Sequence, residues 1–281
     1  MIDIQDILVK IEKLPPMPEV AGKILKISSD PTVSAQDIID IVKYDQNVTA
    51  NILRVCNSSF YSLQRKISSL NEAAVLLGNV NLFNIILTSI SRNLLGKENK
   101  GYEMEKGILW EHSVSCAILA KEIANRVNFN DEQLSYSTGL MHDSGKVILD
   151  GFLQNKTKEI LEEVMEEKTE FDVIEKNLIG FDHAEVGAKL AEVWKFPQPI
   201  IDGIRYHHNP DDATENLTLV YIVHLADALS VMFGFGGGID GLNYHISSKV
   251  TDALKISEAD IYSLSPFLVT EIKKASDMIS S

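Results

Sequence analysis

Apolar residues recur every three to four positions along most of the chain, which is the period of an amphipathic α-helix. The stripe formed by Ile38, Ile41 and Val42 follows Ser34 and Asp37, whose spacing is that of a helix-capping box. No run of alternating apolar and polar residues is long enough to predict a strand. The pattern therefore predicts an all-α protein, and a sheet is not expected.

Further start and stop signals mark the ends of the predicted helices. Ser69 and Glu72 have capping-box spacing before an apolar stripe, and Gly78 is expected to end that helix in a left-handed conformation. Asp182 and Glu185 have the same spacing and are expected to open another amphipathic helix. Each signal lies at the edge of an apolar stripe, which supports the helical interpretation.

Polar, proline-rich and glycine-rich segments divide the chain. A soft break at 96–101, polar and bracketed by glycines, predicts a histidine-free N-terminal helical lobe at 1–100 and a metal-site lobe at 101–281. The proline-rich segment 14–18 and the turn at 57–61 are most simply helix boundaries, with a partner-docking surface as the alternative. The acidic stretch 162–170 is interpreted as a solvated helix face, and the glycine loop 234–238 lacks the setting of a phosphate-binding loop.

Composition and charge narrow the function classes. The 281 residues are 45% hydrophobic and 23% charged, which is ordinary for a globular protein. The net charge of −14 repels phosphate groups, so we expect no non-specific binding to nucleic acid or to anionic membranes.

Two further features bear on the compartment. Cys56 and Cys116 lie in apolar patterns as buried thiols, which suits a reducing compartment. The longest strongly apolar run, 219–233, is interrupted by His224 and Asp227, and the N-terminus lacks the order of a signal peptide. The sequence therefore predicts a cytoplasmic protein with no membrane-spanning stretch.

The strongest local chemical signal is the adjacent pair His142 and Asp143. An imidazole beside a carboxylate suits a borderline divalent metal, although such a dipeptide also arises often by chance. Gly145 is expected to let the backbone turn tightly, and Lys146 adds a cation one helical turn after the aspartate.

Other histidines and an aspartate strengthen this interpretation. Asp227 lies in an apolar helix, where an unpaired buried carboxylate is costly unless a metal, a salt bridge or exposure relieves it. His112 lies near one end of an apolar helical run, and three more candidates are His183, His207 and His208. A lone histidine is usually a surface or hydrogen-bonded core residue, but coincidence is a poorer explanation for this set.

Two histidines receive no ligand role. His224, one turn before Asp227, is interpreted as a core histidine or as a hydrogen-bonding partner of the ligands. His245 lies in a polar loop and is given no function.

The order of His112, His142-Asp143 and Asp227 resembles the HD phosphohydrolase superfamily, and His183 and His207-His208 are similar to the extra positions of its HD-GYP branch. The segments LPPMPEV at 14–20, DQNVTANILRVCNS at 45–58 and SLNEAAVLLG at 69–78 are similar to the HDOD domain. This resemblance spans roughly residues 7–230. It implies one all-α module, a multi-helix HD-superfamily bundle with an N-terminal helical lobe covering residues 1–281, used in bacterial signal transduction.

The resemblance also implies what the site does. Residues 209–217 depart from the glutamate and Gly-Tyr-Pro loop of the HD-GYP pattern, so cyclic di-GMP hydrolysis is not carried over. One or two ions of iron, manganese, nickel or zinc are expected, with Asp143 as the bridging ligand. The expected sets are His112, His142 and Asp227 for one metal, and His183, His207 and His208 for the other. The catalytic candidates are Asp143 and Lys146: a water held between the metals that Asp143 bridges would attack a phosphate ester, and Lys146 would either stabilise charge on the phosphoryl oxygens or hold Asp143 in place.

Two functions from different classes remain open at this stage. The first is an HDOD signalling module that binds a partner protein, with a structural, regulatory or vestigial metal site. The second is a metal-dependent phosphohydrolase acting on a nucleotide or another phosphate ester. An open, basic pocket over the metals would favour the enzyme, whereas a site closed by side chains would favour the binding module.

Overall fold

The computed structural model describes residues 3–13, 19–27, 30, 32–57, 65–154, 156–163, 169–236, 238 and 246–280. Within these ranges every regular element is a helix, and the only β-type pairing is an isolated bridge between Asn99 and Met104. The predicted all-α class is confirmed. The proline-rich segment 14–18, residues 58–61 of the predicted turn, the acidic residues 164–168, Gly237 and His245 lie outside the described residues.

The described helices follow one another with short connections. In chain order they are α1 (Ile4–Lys13), α2 (Glu19–Ile27), α3 (Ala35–Val42), α4 (Gln46–Cys56), α5 (Leu70–Leu95), α6 (Ile108–Arg126), α7 (Glu132–Met141), α8 (Lys146–Leu153), α9 (Thr157–Glu162), α10 (Phe171–Ile179), α11 (His183–Val193), α12 (Gln198–Arg205), α13 (Leu217–Met232), α14 (Ser248–Leu254) and α15 (Glu258–Ser280).

Two of the predicted capping boxes form in full. The Ser34 hydroxyl accepts a hydrogen bond from the Asp37 amide at 3.2 Å, and the Asp37 carboxylate accepts from the Ser34 amide at 2.8 Å. At the start of α11, Asp182 accepts from the Glu185 amide at 2.7 Å and Glu185 accepts from the Asp182 amide at 3.3 Å. Both pairs satisfy backbone donors that the first helical turn leaves without partners.

The third predicted box forms only in part. The Ser69 hydroxyl caps α5 by accepting from the Glu72 amide at 3.2 Å, but the Glu72 carboxylate accepts from the Ser68 amide instead. As predicted, Gly78 interrupts the helix that begins at Leu70, with a positive φ of 70°; its ψ of 167° is not the left-handed helical value, and a second helical segment completes α5 directly after it. The apolar stripe continues beyond the break, and burial of Leu82 and Ile86 keeps the second half of α5 helical.

Apolar packing continues across the predicted boundary at 96–101. One core cluster joins buried residues of α2–α5 to residues of α6, α7, α11 and α12. A second cluster surrounds α1, α8 and α10, and a third surrounds α6, α13, α14 and α15. The break itself contains a short 3-10 turn, Lys100–Tyr102, which packs closely on α8. The helices of the metal-site lobe are thus held in place by cores on several sides.

One described helix, α5, is long and apolar enough to cross a membrane, contrary to the expectation that no stretch reached that length. Its residues 73–91 carry no charge, although they include asparagine and serine residues. In the fold, 39% of its most apolar window is buried, Gly78 interrupts it, and it packs on α3, α4 and α7. These are the features of a core helix in a bundle.

Candidate metal centre

Seven histidine and aspartate side chains converge between the helices that follow the polar segment 96–101. They are His112 in the second turn of α6, His142 and Asp143 between α7 and α8, His183 at the start of α11, His207 and His208 after α12, and Asp227 in α13. His208 is half-buried, and the other six are no more than 3% exposed. The structure thus brings together every residue that the sequence nominated as a ligand.

The cluster divides into two groups around one carboxylate. Candidate ligand atoms of His112, His142 and Asp227 lie within 4.8 Å of one another, as do those of Asp143 with His183, His207 and His208. Asp143 Oδ2 lies 3.4 Å from His112 Nε2 and 3.5 Å from His142 Nε2. Its Oδ1 lies 3.3 Å from His183 Nε2. Each oxygen of Asp143 therefore faces a different group.

Backbone carbonyls set the tautomers of three rings. The Nδ1 atoms bond to carbonyl oxygens at 2.6–2.7 Å: His112 to Phe235, His142 to Gly139, and His207 to Ile204. A carbonyl oxygen only accepts, so each Nδ1 carries the proton and donates. In the neutral ring, the lone pair is then on Nε2, which is the atom that faces the cluster.

The fourth ring is oriented by a buried carboxylate. Glu175 Oε2 accepts from the amide and from Nδ1 of His183, at 2.9 and 2.6 Å, while the Tyr102 hydroxyl donates to Oε1. Burial opposes the protonation of His183, but the charge of Glu175 outweighs it and raises its pKa to about 10. Sequence reasoning missed Glu175; its position midway between Phe171 and Ile179, on the buried stripe of α10, was the available signal.

His224 supports the cluster indirectly. Its Nδ1 donates to the His207 carbonyl at 2.7 Å, and its Nε2 accepts from the Ser247 amide at 3.1 Å. Both ring nitrogens are therefore engaged away from the cluster, and the side chain holds the backbone from which His207 projects. Of the two interpretations made from sequence, the structure favours a hydrogen-bonding partner of the ligands.

Lys146 and Gly145 follow the ligand pair. Lys146 Nζ, which is buried, donates to Asp143 Oδ2 at 2.6 Å and fixes that carboxylate. Gly145 lies in the predicted turn, at 142–145, but its angles are ordinary right-handed ones, φ −65° and ψ −28°, which any residue can adopt. A Cβ there would lie 1.9 Å from the His183 carbonyl oxygen and 2.6 Å from the Gly187 amide nitrogen. The glycine instead permits close contact between α8 and α11.

The cluster contains both charged and neutral side chains within the protein interior. Burial would raise the pKa of Asp143, but the charges of His142 and Lys146 hold it well below its usual value. Burial likewise opposes charging of His142, yet the neighbouring Asp143 raises the pKa of His142 well above its usual value. Burial and the charge of His142 lower the pKa of His207 to about 3. Without another cation, the cluster needs protons to balance its carboxylates, and a metal ion can take their place.

The residues fit a divalent transition metal. Among the described residues, Asp143 Oδ1 and His207 Nε2 are buried without a hydrogen-bond partner, which is costly unless something else satisfies them. The Nε2 atoms of His183 and His208 lie only 2.7 Å apart, so the two nitrogens need a shared proton or a cation. A set of imidazole and carboxylate donors suits iron, manganese, nickel or zinc better than magnesium or calcium.

Comparison with known proteins adds independent information. The family model of the HDOD domain matches residues 14–210. A protein from Treponema pallidum (strain Nichols) is 25% identical over 209 residues, covering 73% of this chain and 40% of that one. Sequences of ribonuclease Y match over 42–43% of this chain at 29–31% identity. The chain spans 40% of the length of the Treponema relative and 16–18% of these ribonuclease Y sequences.

Solved structures share the fold over nearly the whole chain. An HDOD domain protein of unknown function from Geobacter sulfurreducens is 27% identical, with a TM-score of 0.73 and 98% of each chain covered. A structure from Marinobacter aquaeolei VT8, with a suggested role in signal transduction, is 22% identical with a TM-score of 0.77, and covers 99% of this chain and 66% of that one. The second likeness concerns the fold alone.

Proposed function

Because the chain belongs to the HDOD domain family, we propose that it is a bacterial signalling module that binds a partner protein and holds a dinuclear metal centre in its buried cluster. The observation that carries the metal proposal is the position of Asp143, whose two oxygens face two separate groups of donors. A carboxylate in that position suits a bridging ligand between two cations.

The two groups of donors give a ligand set for each ion. Asp143 would serve both metals, His112, His142 and Asp227 would complete one set, and His183, His207 and His208 would complete the other. Iron, manganese, nickel or zinc would supply positive charge and an acidified water in this setting. Lys146 and Glu175 hold Asp143 and His183 in place by hydrogen bonds, whatever ion is bound.

Burial of the cluster favours partner binding over turnover. A catalytic metal needs an open coordination position and a space for substrate. Six of the seven side chains are no more than 3% exposed. A closed centre of this kind suits a structural or regulatory ion in a binding module.

A phosphohydrolase is the second candidate. His208, the half-buried member, is where a phosphate ester would most easily approach, and Lys146 beside Asp143 would stabilise charge on phosphoryl oxygens. The similarity to ribonuclease Y makes an RNA phosphodiester one substrate to test. The net charge of −14 argues against tight binding of a nucleic acid backbone.

Metal content is the first test. The protein is purified without chelator and its metal is measured by elemental mass spectrometry, with about one to two equivalents of a transition metal expected. Less than about a tenth of an equivalent, even after reconstitution, would contradict the metal centre.

Assays of the metal-loaded protein then distinguish the phosphohydrolase from the binding module. It is offered a nitrophenyl phosphate monoester, the corresponding diester and a short RNA. Turnover that disappears on chelation would support the phosphohydrolase. Full loading without turnover would support the binding module.

A further inference from the structure

Tyr102, in the connection between α5 and α6, contacts two residues that support ligands of the candidate metal centre. Its hydroxyl donates to Glu175 Oε1, while Glu175 Oε2 accepts from the amide and from Nδ1 of His183 at 2.9 and 2.6 Å. The centroid of its ring lies 5.9 Å from Nζ of Lys146, the cation that donates to Asp143. One fully buried side chain thus meets the supports of two candidate ligands.

The backbone that carries Tyr102 is held firmly against α8. The Gly101 amide donates to Asp150 Oδ1 at 2.7 Å, and a Cβ on Gly101 would lie 2.5 Å from the Asp150 carbonyl oxygen. Around this turn, Asn99 and Met104 exchange two backbone hydrogen bonds, each of 3.0 Å. These contacts fix the position from which the Tyr102 side chain reaches into the interior.

The hydroxyl of Tyr102 decides how the Glu175 carboxylate is oriented. Glu175 is fully buried, so its two oxygens depend on donors from the protein. Oε2 takes both donors of His183, and the Tyr102 hydroxyl supplies the donor to Oε1. Without that hydroxyl the carboxylate would turn towards the remaining donors, and its bond to His183 Nδ1 would weaken.

We propose that Tyr102 is a positioning residue that sets the orientation of the His183 ring by holding Glu175 through Oε1. His183 Nε2 lies 3.3 Å from Asp143 Oδ1, so a rotated ring would disturb the second group of donors. Tyr102 thereby links the connection between α5 and α6 to the cluster. The orientation of His183 belongs to the chain itself, whereas its effect on metal binding rests on the proposed metal centre.

The first test follows the Nδ1 proton of His183 by nuclear magnetic resonance in the full, metal-free chain. The signal is assigned by its loss in His183→Gln. Tyr102→Phe keeps the ring and removes the hydroxyl, so exchange of this proton with solvent should accelerate about tenfold. That factor corresponds to a hydrogen bond worth about 1.4 kcal/mol. An unchanged exchange rate would overturn the proposal.

Tyr136→Phe is the matched control for a general loss of stability. Tyr136 is also buried, and its hydroxyl shares a hydrogen bond of 2.6 Å with Thr88 Oγ1. It lies on α7, the helix that leads to His142. The control should lower the melting temperature about as much as Tyr102→Phe, but exchange of the His183 proton should stay unchanged. Equal acceleration in both variants would make the role of Tyr102 merely structural and overturn the proposal.

A double variant tests whether Tyr102 acts through Glu175. Glu175→Gln should itself accelerate exchange of the His183 proton, because it removes the charged acceptor. On that background, Tyr102→Phe should add less than about twofold, since two changes on one path are not additive. A further tenfold acceleration would show that Tyr102 acts by another route, against the proposal.

Metal titration of the same variants tests the consequence for the proposed metal centre. Competition with a chromogenic chelator should show one equivalent bound about tenfold more weakly in Tyr102→Phe, and the other changed by less than about twofold. The control should match the wild-type chain for both equivalents. Unchanged affinities in Tyr102→Phe would overturn the link to metal binding. A wild-type chain that binds no metal would contradict the metal centre, and proton exchange would still decide whether Tyr102 positions His183.

Discussion

The residues before and after the polar segment at 96–101 bury different kinds of side chain. Among the described residues up to residue 100, the buried polar side chains are Ser91 and Asn99 alone, and the other buried residues are apolar. After the break, the interior includes ionisable groups such as His142, Asp143 and Glu175. One region is held by burial of apolar surface, and the other also depends on the pairing of buried charges.

This contrast predicts which property a substitution will change in each region. Loss of an apolar contact removes a share of stability that grows with the volume lost. Loss of one member of a buried polar cluster leaves its partners unpaired, so the effect reaches the whole cluster. Substitutions before the break should therefore act on stability, whereas those in the cluster should act on metal binding.

Asp143→Ala tests the contrast most severely. It removes the carboxylate that faces both groups of donors, so metal content should fall from about one to two equivalents to below a tenth. Most of the helical circular dichroism should remain, because apolar cores hold the helices. Asp252→Ala, at an exposed position of α14, is the control. Unchanged metal content in Asp143→Ala would refute the ligand assignment.

Ile52→Ala tests the opposite side. Ile52 is fully buried in the core formed by α2–α5, so the change should lower the free energy of unfolding by about 2–5 kcal/mol in urea titration. Metal content per folded molecule should stay at the wild-type value. Val75→Ala, at a position 89% exposed, should change stability by less than about 0.5 kcal/mol. Metal loss in Ile52→Ala would remove the distinction between the regions.

Glu175→Gln sharpens the comparison within the cluster. The amide keeps the shape of the carboxylate but loses the charge that accepts from His183 Nδ1. Metal affinity should fall about 10- to 100-fold in a competition titration with a chromogenic chelator. Glu192→Gln alters a surface ion pair with Lys189 and should leave affinity unchanged. Equal affinities in the two variants would show that Glu175 does not tune the site.

Loss of a helix cap should give the smallest change in stability, and a similar change in both regions. Ser34→Ala removes the α3 cap, and Ser257→Ala removes the hydroxyl that accepts from the Asp260 amide. Each should lower the free energy of unfolding by about 1 kcal/mol without change in metal content. A metal effect in either variant would mean that the exposed helix ends are coupled to the cluster.

Much of the cluster could be predicted because its residues contradict their local pattern. Asp227 lies in an otherwise apolar helix, where a carboxylate is costly to bury. His142 and Asp143 are adjacent in sequence, and His183 directly follows the aspartate of a capping box. Such local contradictions are visible from the chain alone, and the all-α class follows from the same periodicity.

The missed features depend on contacts between distant segments. Glu175 is an ordinary residue in a helix until His183 and Tyr102 are placed beside it. Gly78 carries a correct signal for positive φ, yet burial of the following residues continues the helix. Among the described residues the buried Gln133 amide has no hydrogen-bond partner, which is likewise invisible in sequence, since an early helical position commonly carries a glutamine facing water.

The backbone contact between α8 and α11 at Gly145 has a consequence for how a metal ion enters and leaves the cluster. Because α8 meets α11 through the backbone of Gly145, the docking of these helices also brings Asp143 and His183 together. An ion that arrives afterwards finds donors already enclosed by protein. Except on the side of half-buried His208, its entry and departure then require the helices to separate briefly, so the exchange half-life would report how often the fold opens as well as how tightly the ion is held.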